Sequence, residues 1–261
     1  MTESDRPATV LFDQVLARLG QELVDGVRTP GSVLTLADLE EEFAVSRTVV
    51  REAVRVLESL CMVRSQRRIG LTVRPREDWS VLDPQVIGWR LGGLARDEAL
   101  RDLTELRIAV EPVAARLAAR RASAQMRSRL TELAERLAAL GAAGRGDSAD
   151  YLETDIEFHT LLLHASGNEL LAALEDVVVQ VLTGRTRLGL SPAVPVAGAT
   201  HNHEEVARAV ADGDHDAAER YARAVVAEVW GFLESSGLGH LDPPAAADPS
   251  AGPVDAGPGS P

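Results

Sequence analysis

Val45-Ser-Arg-Thr-Val-Val-Arg-Glu-Ala-Val-Arg-Val-Leu-Glu-Ser-Leu60 is the stretch from which the rest of the chain is read. Ser46 suits an N-cap, because a serine hydroxyl accepts one of the backbone N–H groups left unpaired at a helix start. Val50, Val54 and Leu57, with Ala53 and Leu60, recur at helical spacing and form one apolar stripe. Arg47, Arg51 and Arg55 stand four residues apart, so their guanidinium groups line up along another edge. Three aligned cations with no carboxylate between them on that edge suit a polyanion, and the same row fits a solvated surface face. The flanking sequence decides between the two.

Upstream, Val10, Val15, Leu16, Leu19, Leu23 and Val24 predict a helix that ends near Gly26, before a turn at Thr29-Pro-Gly31. Thr35 and Asp38 make a capping-box-like start for a short helix through Phe43. Ala44-Val45 leaves only a tight turn before the Ser46 helix, which makes a helix-turn-helix candidate. Downstream, Met62-Val-Arg64 and Leu71-Thr-Val-Arg74 alternate around Arg67, Arg68 and Gly70, the pattern of a hairpin with a basic tip. Residues 1–76 therefore read as a winged helix-turn-helix. Arg47 opens the recognition helix, the end that enters a groove, and is placed to reach a base edge. Arg51 suits a phosphate, which positions without specifying.

The net charge of −13 is unevenly spread along the 261 residues. Residues 1–76 hold 11 arginines against 11 acidic residues, so the whole excess of acid lies beyond them. Within residues 44–76 there are 8 arginines and 2 glutamates. One basic patch on an acidic body fits a specific, salt-sensitive DNA contact with little non-specific adhesion. The single Cys61 allows no disulfide within one chain and points to a reducing cytoplasm. It falls one turn past Leu57 on the apolar stripe, as a buried structural thiol would. Met1 to Val10 lacks an apolar signal segment, and no apolar run approaches the roughly 20 residues that span a bilayer.

Residues 77–96 read as a linker helix, with Trp79 and Trp89 as packing anchors and a break at Gly92-Gly93. Residues 97–236 read as an all-α bundle, with helices near 97–121, 123–140, 147–166, 168–188, 199–212 and 214–235. Leu103, Leu106, Val110, Val113 and Leu117 form the expected core stripe of the first. Residues 237–261 have the composition of a disordered tail. The fold class is thus mainly α, with one small β-hairpin. Within the bundle, Asp155 and His159 are four apart and can reach one ion; a hydrogen-bonded pair without an ion is the alternative.

Thr-Pro-Gly-Ser-x-Leu from Thr29, Val-Ser-Arg-Thr-x-Val-Arg-Glu-Ala-x-Arg-x-Leu from Val45, and Arg-Arg-x-Gly-x-x-Val from Arg67 resemble the DNA-binding domain of the GntR superfamily of bacterial transcription regulators. The resemblance implies operator contacts from Ser46, Arg47, Thr48, Arg51 and Arg68, with Gly70 bringing the wing backbone close to the minor groove. Where many members read Leu-Pro-x-Glu, this chain has Leu34-Thr-Leu-Ala37, and Ala37 replaces an arginine that contacts DNA in some relatives. The pattern Trp79–Leu82-Asp-Pro84–Trp89 is similar to members of the FadR branch that respond to sugar acids.

The bundle resembles the FCD effector domain of that branch, in which an Asp and three His line a divalent-metal site. Asp155, His159 and His203 match three of those ligands, and Val225 stands where the fourth His is expected. A three-ligand set still suits zinc, manganese, nickel or iron, with positions open for water or an effector carboxylate. His201 is a possible substitute ligand. Arg107 matches the arginine that pairs with an effector carboxylate, its alternative being an ion pair with Glu111 one turn on. Asn168 matches a residue near the pocket or caps a helix, and Arg185 and Arg187 are further candidates for holding a polyhydroxy acid. The resemblance, over residues 8–236, implies a homodimeric cytoplasmic repressor that releases operator DNA on binding a small carboxylate. An acyl-CoA-responsive regulator is one rival; a metal-dependent hydrolase with Glu157 or Glu204 as general base is another.

Overall fold

Local periodicity in the first third of the chain produces α1 (Ala8–Val24), β1 (Val33–Leu34), α2 (Leu36–Phe43), α3 (Arg47–Ser59), β2 (Val63–Gln66) and β3 (Gly70–Val73). The computed structural model describes residues 8–195 and 198–235. Val50, Ala53, Val54 and Leu57 of α3 are buried against Val15, Leu16, Leu19 and Leu23 of α1, as the stripes predict. Thr35 caps α2 by accepting from the Asp38 N–H.

Ser46 has the extended backbone of an N-cap, but its side chain makes no capping hydrogen bond. The turn is closed by backbone instead: Ala44 adopts φ 51°, and its N–H reaches the carbonyls of Glu40 and Glu41. Ser46 itself is exposed. The expected row of three free arginines is also shortened, because Arg55 pairs with Glu52 at 2.5 Å.

The wing forms as expected, with β2 and β3 antiparallel and Gln66 opposite Gly70. A third strand joins it: β1 pairs Val33 with Thr72 and Leu34 with Leu71, making the order β1-β3-β2. Two residues are too few for a period to show in sequence. Gly70 stands at φ 121°, and a Cβ there would lie 2.6 Å from the Leu34 carbonyl oxygen, so β1 can approach only a glycine. Cys61 departs from expectation. It lies past the Leu60 cap at φ 59° and is only half-buried, because the chain has already left the helical path that would carry it onto the α3 stripe.

Trp79 is buried in the α1–α3 core and its Nε1 donates to the Arg74 carbonyl. Asp83 caps α4 (Pro84–Gly92) by accepting from the Gln85 N–H. A methyl group built on Gly20 of α1 would fall inside the Trp89 ring, and Gln21 Nε2 donates to the Trp89 carbonyl. On its other side α4 meets the bundle, where Leu91 fills the notch left by Gly184.

The bundle consists of α5 (Arg96–Arg121), α6 (Ala124–Ala142), α7 (Ala149–Ala165), α8 (Glu169–Ala172), α9 (Glu175–Arg187), α10 (Ala199–Asp212) and α11 (His215–Ser235). The single helix expected over 168–188 is two, broken at Ala173 and Leu174. The α5 core face differs from the predicted stripe. Leu103 is buried, but Leu106, Val110 and Leu117 are half-buried and Val113 is exposed. The buried face carries Ala99, Leu100, Ala114, Ala115 and Ala118 together with Arg107 and Glu111. Small alanines admit neighbouring helices closely, and the two charged residues hide that face from a hydropathy reading. No helix among the described residues is long and apolar enough to cross a membrane. The segment 237–261 and His240 lie outside the described residues.

Candidate functional site

Five helices, α5, α7, α9, α10 and α11, line one cavity in the bundle. Asp155 and His159 share a face of α7, and His203 projects from α10. Asp155 Oδ1 lies 3.4 Å from His159 Nε2 and 3.4 Å from His203 Nε2, and the two nitrogens are 3.4 Å apart. An N–H···O hydrogen bond prefers about 2.7–3.2 Å. A tetrahedral ion about 2.0–2.1 Å from its ligands holds them roughly 3.3–3.4 Å apart, so this equal-sided triangle fits a shared cation better than direct hydrogen bonds.

The outer nitrogens fix which ring atoms face inward. His203 Nδ1 is 2.7 Å from the Ala199 carbonyl, an acceptor only, which puts the proton on Nδ1 and leaves the Nε2 lone pair on the cavity. His159 Nδ1 is 2.8 Å from Glu111 Oε2, with the same result. Such carboxylate–histidine and carbonyl–histidine arrangements orient metal-binding imidazoles. Burial alone would raise the Asp155 carboxyl, but without an ion the His159 and His203 imidazoles donate to it from Nε2 and hold it well below the usual range, each such proton standing where a shared cation would bind. It is therefore the anionic corner of the triangle.

Arg107 is buried on α5. Its Nε and Nη2 both donate to Glu111, at 2.5 and 3.2 Å, so the ion pair open from sequence is formed. Its Nη1 has no partner among the described residues. Burial raises the Glu111 carboxyl, but Arg107 and then His159 lower it to about 2. Arg185 of α9 also lines the cavity with its Nε buried and unpartnered. Burial and repulsion from Arg107 pull its guanidinium down to about 10, so it stays charged at neutral pH. Two guanidiniums with unused N–H groups beside an open carboxylate–imidazole triangle make a receptor for a small anion. The cavity has a volume of about 70 Å³. Such a space suits a compact ligand rather than a long acyl chain.

Asp155, His159, His203, Arg107 and Arg185 are thus brought together, and Val225 also lines the cavity. Asn168 is not part of the lining; it caps α8, accepting from the Leu170 N–H. Arg187 and His201 are exposed and outside the lining. His164 pairs with Glu175 and His215 with Asp216 at the surface. Glu157 and Glu204 are exposed, and Glu157 is held by Arg129 at 2.7 Å, so neither general-base candidate faces the triangle. The sequence reading missed Tyr151 and Glu228, which line the same cavity. Tyr151 is one turn before Asp155, and Glu228 one turn after Val225; those spacings are the only signal either carries.

The other candidate surface is on α3 and the wing. Ser46, Arg47, Thr48 and Arg51 are all exposed, Arg47 with 65% of its side chain accessible and only a 3.7 Å contact to Glu40. Arg68 sits at the hairpin tip at φ 68°. Arg51 makes no ion pair among the described residues. Arg47, Ala37 and Gly70 line one shallow depression between α2, α3 and the wing.

Residues 11–73 match the family described as bacterial regulatory proteins, gntR family, and residues 102–228 match the FCD domain. The chain is similar to the galactonate operon transcriptional repressor of Escherichia coli (strain K12), 32% identical over 223 residues that cover 82% of this chain and 93% of that protein. It is similar also to the uncharacterized HTH-type transcriptional regulator YieP of the same organism, 29% identical over 211 residues covering 80% and 89%. Among solved structures it is similar to a Streptococcus agalactiae GntR protein, 24% identical, with TM-score 0.47 and coverage of 84% and 98%.

Proposed function

Since the chain belongs to the gntR family of bacterial regulatory proteins and carries an FCD domain, we propose that this transcription regulator is a cytoplasmic homodimeric repressor, of the FadR branch, released from its operator by a small hydroxylated carboxylate such as a sugar acid. Residues 1–76 form the DNA-binding unit, 77–96 the linker and 97–236 the effector unit. The observation that supports the effector assignment is the pair of buried guanidinium nitrogens without a partner among the described residues, Arg107 Nη1 and Arg185 Nε, on two residues that line one cavity with the Asp155–His159–His203 triangle. Asp155, His159 and His203 would hold a divalent cation, zinc, manganese, nickel or iron, which when bound supplies a Lewis-acidic charge for a ligand oxygen. Glu111 and the Ala199 carbonyl keep the two imidazoles in the tautomer this requires. Arg185, with no carboxylate partner among the described residues, is the first contact for the ligand's carboxylate.

On the DNA side, Arg47 supplies the base contact, with Ser46, Thr48 and Arg51 on flanking phosphates and Arg68 and Gly70 in the wing. Two copies place two such helices on a pseudo-palindromic operator, and the ligand changes their relative placement. The small cavity favours a compact acid over an acyl-CoA, and the outward-facing Glu157 and Glu204 leave a hydrolase without its base.

The test is fluorescence anisotropy on a duplex that the purified protein selects from a random pool, titrated with C4–C6 aldonates with and without manganese(II). Release by an aldonate, lost in Arg185→Met with DNA affinity retained, supports the reading. An operator complex that no small acid weakens in the wild type, or an Arg185→Met protein that responds normally, overturns it.

A further inference from the structure

The guanidiniums and the triangle leave one charged group of the cavity lining unexplained. Glu228 of α11 lines the cavity, and its Oε2 is buried with no hydrogen-bond partner among the described residues. Its Oε1 accepts from Asn202 Nδ2 of α10 at 2.5 Å. The backbone opposite is Gly198 at φ 106°, where a Cβ would sit 2.9 Å from Glu228 Oε1. The carboxylate is therefore anchored on one oxygen and left with a free acceptor on the other. A buried acceptor without a donor costs free energy unless a ligand satisfies it.

A carboxylate in the lining repels the charged end of an anionic ligand, so the ligand must present a donor here and its own carboxylate at Arg185. Both hydroxyl and ammonium groups donate. The rest of the lining decides: Tyr151, Thr186 and Ser191 add three hydroxyls, and Thr186 Oγ1 and Ser191 Oγ already pair with each other at 3.2 Å. Burial raises the Tyr151 phenol, so it remains a neutral donor. Neutral hydroxyls together with the free Glu228 oxygen match a chain of alcohols.

We propose that Glu228 determines the specificity of the cavity, its Oε2 accepting a hydrogen bond from a hydroxyl of the bound acid, so that the site takes hydroxylated acids and discriminates against deoxy acids of equal length. The assignment rests on the small-acid reading above. Its alternatives are separable from the failure of that reading.

Isothermal titration calorimetry of the full chain in buffer containing manganese(II) would compare C4–C6 aldonates, the deoxy acids of the same lengths and their ω-amino counterparts. A satisfied hydrogen bond to a buried charged acceptor predicts that the wild type prefers an aldonate by roughly tenfold or more. Glu228→Met should remove that preference without weakening deoxy-acid binding, and Asn202→Ala, which frees the anchored carboxylate, should reduce it in part. A preference that survives in folded Glu228→Met, or an equal loss for both kinds of acid, overturns the assignment. Tighter binding of the ω-amino acids overturns the hydroxyl reading in favour of an ammonium. Should Glu228→Met show no cooperative melt, an undiminished preference in Asn202→Ala overturns it alone. If no acid binds the wild type, the small-acid reading itself falls and the specificity assignment with it.

Discussion

Removing Arg107 should destabilise the bundle far more than removing Arg107 and Glu111 together. Both side chains are 1% exposed, and the guanidinium makes two hydrogen bonds to the carboxylate. Arg107→Met keeps the length of the apolar stem but strands Glu111 in the core, with His159 as its remaining contact. Breaking a buried pair from one side costs about 3–5 kcal/mol, whereas exchanging both partners for neutral groups of similar volume is often neutral or better. For a chain of this size, about 2–4 °C per kcal/mol converts the single change to a loss of roughly 6–20 °C in melting temperature. Arg107→Met/Glu111→Leu should recover most of that loss. Melting followed by far-ultraviolet circular dichroism, in EDTA so that metal adds nothing to either protein, measures the cycle. A single variant that melts with the wild type, or a double variant that falls as far as the single, refutes the claim that the pair is mutually dependent.

Arg47→Ala should weaken specific operator binding about 10- to 100-fold, the worth of one bidentate base contact, without moving the melting temperature, because the side chain is 65% exposed; anisotropy with specific and random duplexes reads the ratio. Gly70→Ala should cost about 1–3 kcal/mol from its positive φ, with a further penalty from the Leu34 carbonyl 2.6 Å away, seen as an earlier melt and weaker operator binding. At Glu22, burial raises the carboxyl, but hydrogen bonds from Arg18 and Arg28 outweigh it and hold it below its ordinary value. That stabilisation is present above the ordinary carboxylate pKa and is lost as pH falls through the lowered one. Glu22→Gln should therefore narrow the stability gap between neutral and acid pH, which denaturant titrations at both would show.

The N-terminal unit was legible because its information is local. The Val50–Leu57 stripe, the Thr35 cap and the hairpin around Gly70 each show within a dozen residues. What was not legible there depends on distant chain: β1 exists because β3 offers an edge, and Gly70 is demanded by Leu34, some 36 residues upstream. The bundle is less transparent. Asp155 and His159 announce themselves by spacing, but His203 joins them only through the packing of α10. The buried face of α5 was misplaced because Arg107 and Glu111 invert the usual link between polarity and exposure, and hydropathy follows the wrong side of the helix. Asn168 shows the converse, a residue matched by resemblance whose local chemistry is simply that of a cap. Glu228 belongs to no pattern; only the cavity makes its free oxygen visible.

The two glycine notches around α4 have a mechanical consequence. Trp89 has no room to slide over Gly20, and a Cβ on Gly184 would stand 2.7 Å from Leu91 Cδ1. A tooth seated in a slot on each side makes α4 an escapement rather than a spring. Any movement of α9 large enough to re-aim Arg185 must either carry Leu91 along or open a void, and close-packed cores resist voids. Signals crossing this chain should then be stepwise, so partial ligands would change how often the DNA-bound arrangement is occupied rather than how far the reading helices turn.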